Sequence, residues 1–200
     1  MKKSSEGIIF IVDISGYSKF VKEIDNEIGA EVISDLLHTI IKSNYLSFRI
    51  SEIEGDAVLF YKLDHIYPIS KILLQFEIML TEFNKKIDYY KNLYHNVADL
   101  SLKLVVHYGT IGKFSTDGFN KLFGNTLVEA HRLLKNSIPY RTYTLITNAY
   151  QEKLNQLELD SGKNIDSQQH YDQYDIGKLH YSFYPFKNSK YRIENTLAIA

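Results

Sequence analysis

The chain has 200 residues, 44% hydrophobic and 24% charged, which suits one globular domain spanning 1–200 with room for a proper core. Lysine and arginine total 23 against 24 acidic residues, a formal charge of -1, which excludes a protein that coats nucleic acid through bulk charge but not one that takes a single nucleotide. The absence of cysteine excludes disulfides, thiolate catalysis and cysteine metal sites. No apolar run approaches the roughly 18 residues of a membrane span, and Met1–Glu6 lacks the apolar segment of a secretion signal. A cytoplasmic location without membrane contact is the expectation.

In chain order, residues 7–14 read GIIFIVDI, whose unbroken run of isoleucine, valine and phenylalanine predicts a strand buried on both faces, hence central in its sheet. Gly16 ends it. A short helix is expected over 18–24 and a second over 30–42, where Val32, Ile33, Leu36, Leu37, Ile40 and Ile41 recur three and four apart. Asp25 and Asn26 suit a cap or turn between them. Residues 46–63 form a hairpin turning at Gly55-Asp56, with Glu52, Glu54 and Asp56 on one parity. Pro68 suits the first turn of a long helix over 68–92. Residues 102–108, LKLVVHY, predict a strand that Gly109 and Gly112 interrupt. An irregular or hairpin-like arm follows over 113–124, then a helix over 125–135 that Pro139 terminates. A strand over 143–146, a helix over 149–157, a polar loop over 158–170 and an edge or hairpin strand within 174–186 complete the reading. The order β-α-β-β-α-β gives an α+β class, a ferredoxin-like sheet with helices on one face and extra C-terminal strands.

Two carboxylates stand out. Asp13 closes an otherwise apolar strand, where an unpaired charge is costly; it is either a turn cap assisted by Ser15 or a metal ligand. Asp56 lies in a common Gly-Asp turn. In this topology the first strand neighbours the third, which brings the end of one and the turn of the other to one sheet edge. Paired carboxylates repel unless a proton or cation joins them, and oxygen-only ligands favour Mg²⁺ or Mn²⁺. The loop Ser15-Gly16-Tyr17-Ser18 runs into a helix N-terminus beside them and offers backbone N–H groups to phosphate. His107 and His131 read as core or interface residues, since no third ligand accompanies them.

Four segments carry a resemblance. FIVDISGYSKF (10–20), SEIEGDAVLFY (51–61), LKLVVHYGTI (102–111) and KLFGNTLVEAHRLL (121–134) resemble, in order, the first metal motif, the metal-binding hairpin, the strand entering the dimerisation arm and the arginine helix of class III nucleotidyl cyclases. DISGYSKF, EIEGDAVLFYK and HRLLKN are similar to a group of small bacterial cyclase-like proteins of undefined function. The likeness runs from about Gly7 to Lys135, and the part over 140–200 departs from the family.

The resemblance implies a cyclase-type core with a dimerisation arm, acting as a homodimer that converts a nucleoside triphosphate to a 3′,5′-cyclic nucleotide and pyrophosphate. Asp13, Asp56 and the Ile14 backbone would hold two Mg²⁺ or Mn²⁺ ions with substrate. Ser15, Gly16, Tyr17, Ser18 and Gly55 would hold phosphate, and Arg132 of the other subunit would neutralise the transferring phosphoryl group. Glu52 and Lys121 stand at the base-reading places; glutamate is the guanylyl-type residue, but its partner site holds a lysine that offers only donors, so the base stays open. Val128 occupies the place of the ribose-positioning asparagine and cannot donate that bond. Glu54 is an outer contact of metal or base, or a solvated face, and Lys178 a candidate phosphate contact. Two alternatives stand beside turnover: a catalytically inactive nucleotide-binding signalling module, and a two-metal phosphohydrolase. The Tyr-rich stretch from Tyr171 to Tyr191 is a candidate surface for a protein partner.

Overall fold

The computed structural model describes residues 4–159 and 167–186. Strand β1 (Ser4–Ser15) leads into helices α1 (Tyr17–Glu23) and α2 (Asn26–Lys42). The hairpin β2 (Arg49–Glu54) and β3 (Ala57–Leu63) follows, then α3 (Ile69–Tyr90) and β4 (Ser101–Thr116). Next come β5 (Phe119–Phe123), α4 (Asn125–Leu133), β6 (Tyr143–Thr147), α5 (Asn148–Gln156), β7 (Gln168–Tyr174) and β8 (Gly177–Pro185). The described strands make one eight-stranded sheet in the order β2-β3-β1-β4-β6-β8-β7, with β5 paired to β4 alone.

β1 is central, as its unbroken apolar run requires, with β3 and β4 antiparallel on either side. Its residues alternate between two cores. Ile8, Phe10, Val12 and Ile14 face α1, α2, α3 and α5, where Phe20, Leu36, Phe76 and Tyr150 are all but fully buried. Ile9 and Ile11 face the other way, onto Ala130 of α4. Burial of each such side chain contributes about 1.5–3 kcal/mol, which makes β1 the strand around which both layers assemble. Among the described residues four helices thus share one face, and α4 alone covers the other. Asp13 has the parity of Ile9 and Ile11, so it opens on the α4 side.

Local chemistry explains the boundaries. Asp25 caps α2 by accepting from the amides of Glu27 and Ile28 at 2.9 and 3.2 Å. Pro68 is the N-cap of α3. Two expectations are corrected. β4 does not stop at Gly109 but runs on to Thr116, where it pairs with β5, so that of the two forms expected for the arm it takes the hairpin. The glycine admits a close neighbour instead: a Cβ at Gly109 would come within 2.5 Å of Thr126 Oγ1. The polar stretch expected as loop to residue 170 contains the start of β7, an exposed edge strand whose polar side chains disguise it. Residues 160–166 of that stretch, and Tyr191, lie outside the described residues. Among the described residues no helix is long and apolar enough to cross a membrane.

Candidate functional site

Asp13 lies opposite Ala57 in the β1–β3 register, one residue beyond Asp56. The Ile14 amide donates to the Asp56 carbonyl at 3.1 Å, so the hairpin turn is stitched to the end of β1. Gly55, at φ 59°, supplies the left-handed residue that turn needs. Both carboxyls are held above the usual carboxylate range. Burial is the main cause for Asp13, partly offset by Lys103. Asp56 is pushed up to about 6, first by burial and then by the Asp13 charge. Asp13 is not a helix cap: Gly16 is the N-cap of α1 and no side chain bonds there.

The chain leaves β1 through a tight turn. Gly16 has φ 93°, and a Cβ on it would lie 2.7 Å from the Asp99 carbonyl. Ser15 Oγ donates to the Arg141 carbonyl at 3.1 Å, which engages that hydroxyl in holding the turn. Lys19 pairs with Asp99 at 2.7 Å.

This turn, both aspartates and one side of α4 line a cavity of about 740 Å³. Ile14, Ser15, Gly16, Tyr17 and Ser18 form one wall, and Val128, His131 and Arg132 form the other. Val128 is 44% exposed, an apolar side chain facing open space. Arg132 Nη2 donates to Asp175 Oδ2 at 2.7 Å, in the turn between β7 and β8. His131 Nδ1 lies 3.8 Å from Glu54 Oε2, placing Glu54 at the rim.

Not every predicted residue joins this wall. Glu52 and Lys121 are bonded to each other between β2 and β5, within one chain, and do not line the cavity; Lys121 is held more firmly protonated by that bond. Lys178 sits over the Tyr171 ring at 4.9 Å, also away from the cavity lining. His107 is a buried core residue between Thr147 Oγ1 at 2.9 Å and Glu129 Oε2 at 2.8 Å. The sequence reading missed Lys103. It faces Asp13 across the β1–β4 register, its Nζ lies 3.3 Å from Asp13 Oδ1, and it donates to the Leu134 carbonyl at 3.0 Å. Its signal was a lone charge inside the apolar strand LKLVVHY.

The donor set suits a hard divalent cation. Two half-buried carboxylates, of which Asp13 raises Asp56, gain directly from a positive ion, and the chain has no cysteine to offer as a soft ligand. Among the described residues no three histidine, cysteine or acidic side chains gather, so substrate or water oxygens would complete the shell, as Mg²⁺ tolerates.

Comparison with known proteins adds three findings. A family model described as "Protein of unknown function (DUF2652)" matches residues 33–143, a stretch that includes the Asp56 hairpin and α4 but not Asp13. No curated protein matches this sequence. Among solved structures, the guanylyl cyclase Cya2 superposes with a TM-score of 0.71 at 11% identity, covering 94% of this chain and 96% of that one. The adenylyl cyclase CyaB from P. aeruginosa gives 0.57 at 14% over 92% and 96%. The guanylate cyclase domain of RhGC from Catenaria anguillulae, solved in complex with GTP, gives 0.62 at 14% over 92% and 100%. These likenesses establish a shared cyclase-type fold.

Proposed function

We propose a function for this chain, which belongs to the DUF2652 family of proteins of unknown function: a metal-dependent nucleotidyl cyclase that converts a nucleoside triphosphate to a 3′,5′-cyclic nucleotide and pyrophosphate at a homodimer interface. The observation that supports this reading is the stitching of Asp56 to the end of β1, with two carboxylates raised by burial in the lining of one cavity of about 740 Å³. Asp13 and Asp56 would hold Mg²⁺ or Mn²⁺, with the Ile14 backbone between them. Such an ion lowers the pKa of a ribose hydroxyl and offsets triphosphate charge.

The chain's own residues do the rest. The turn over Ser15–Ser18 lies against the phosphates and, with Gly16 under the Asp99 carbonyl, is rigid before substrate arrives. The ribose 3′-oxygen attacks the α-phosphorus in line, its proton leaves to solvent, and the bond to pyrophosphate breaks. Arg132, from its own or the partner protomer, neutralises charge on the transferring group once it leaves Asp175. The homodimer is supported by the arm, where Phe119 and Phe123 are both 67% exposed. Glu52 and Lys121 would meet the base only after parting from one another, so the base stays unassigned.

The test is direct. Purified protein is incubated with Mn²⁺ and each of the four nucleoside triphosphates, and cyclic nucleotide and pyrophosphate are quantified. Turnover that Asp13→Asn abolishes supports the reading; an unchanged rate in that variant rejects it. Two observations favour a second reading, nucleotide binding without turnover: Val128 cannot donate to a ribose, and Asp175 already occupies Arg132. Tight triphosphate binding with no pyrophosphate release selects it.

A further inference from the structure

We infer that Lys103 is a built-in counter-cation of the carboxylate pair and leaves room for one divalent ion instead of two. The inference rests on the reading of Asp13 and Asp56 as a cation site. Lys103 stands directly across from Asp13 in the β1–β4 register, and its side chain comes up on the α4 face beside the carboxylate. Its Nζ approaches Asp13 Oδ1 to 3.3 Å, with the two side chains only 18% and 15% exposed. An ion pair so shielded is weakly screened by salt.

The ammonium is also held from the opposite side. It donates to the Leu134 carbonyl at 3.0 Å, and Leu134 is the C-cap of α4, where helix carbonyls lack intrahelical partners. A lysine tethered at both ends does not swing freely into solvent. An ammonium has three donors and no acceptor, so it repels a metal ion and can never ligate one.

Charge counting leads to the same result. Within the cluster itself, two carboxylates and one ammonium leave a single net negative charge, and Lys135 in the same cavity lining adds no negative charge to it. One divalent ion reverses that charge. A second would sit close to both the first ion and Lys103, which already approaches one of the two Asp13 oxygens. Removal of Lys103 opens that second place.

The test counts Mn²⁺ by electron paramagnetic resonance on the full chain, with inorganic tripolyphosphate as a base-independent phosphate probe. Wild type is expected to hold one Mn²⁺ per bound tripolyphosphate. Lys103→Met is expected to hold two, with the first ion bound about tenfold more tightly for want of the repelling charge. Lys103→Arg keeps the charge and is expected to stay at one. If the methionine variant fails to fold, Lys103→Gln keeps an amide donor for the Leu134 carbonyl and takes its place. Two ions in wild type, or one ion in the uncharged variant, overturns the role of Lys103 and leaves the metal-dependent function standing. No Mn²⁺ on any of these proteins overturns both.

Discussion

The Ile14 amide donates to the Asp56 carbonyl at 3.1 Å, and with the β1–β3 register this fixes the Asp56 backbone beside the end of β1 that carries Asp13. Main chain, not side chain, fixes where the two residues stand. Isosteric replacement of either carboxylate therefore leaves the frame in place and changes charge alone.

Asp56→Asn should stabilise the metal-free protein at neutral pH. The folded carboxyl value is about 6 against an unfolded 3.8. Between these the folded chain keeps a proton that the unfolded chain has shed, so stability falls as pH rises through this window. Above about pH 6 the full cost applies, on the order of 1–3 kcal/mol. Urea denaturation at pH 4 and pH 7 should show wild type losing stability and the variant losing less. Mn²⁺ at pH 7 should then stabilise wild type and not the variant. A variant weaker than wild type at pH 7 contradicts this.

The two left-handed glycines of the site should differ in tolerance. Gly16→Ala places its Cβ 2.7 Å from the Asp99 carbonyl at φ 93°, whereas Gly55→Ala meets nothing within 4 Å at φ 59°. The first combines strain with a clash against backbone and should cost about 2–4 kcal/mol; the second should cost about 1 kcal/mol. Thermal melts of the two variants would rank them, and equal losses would refute the clash.

Glu129→Gln should cost about 1–3 kcal/mol at pH 7 by removing the carboxylate charge from the bond to buried His107. His107 is the main reason that the Glu129 carboxyl lies below its usual value. Its contribution is fully present above the unfolded glutamate range and is lost as pH falls through the lowered folded value. Wild type and variant should converge in acid. A gap that persists below that range would assign the loss to packing.

Phe119→Asp should weaken self-association and leave the fold intact. Phe119 is at the tip of the β4–β5 arm, makes no part of a buried core, and is 67% exposed. Sedimentation velocity should show a shift from dimer to monomer with an unchanged melting temperature. A dimer that survives would place the interface elsewhere.

Much of this architecture is legible without coordinates because its signals are local. The unbroken run GIIFIVDI requires a strand with two buried faces, and Gly55-Asp56 between two apolar runs requires a hairpin. Asp25 before α2 and the 3.6-residue stripe of α2 and α3 are equally local. The carboxylate pair follows from strand order alone. What was not legible depends on register and on distant partners. Lys103 meets Asp13 only because β4 pairs with β1 at that offset, which no periodicity encodes. Arg132 meets Asp175, and Glu52 meets Lys121, through side chains 43 and 69 residues apart. β7 is polar because it is an edge, and a polar strand looks like a loop. The residue pattern determines which segments are buried; long-range pairing alone decides which charges face one another across the cavity, because electrostatic energy depends on distance in space and not along the chain.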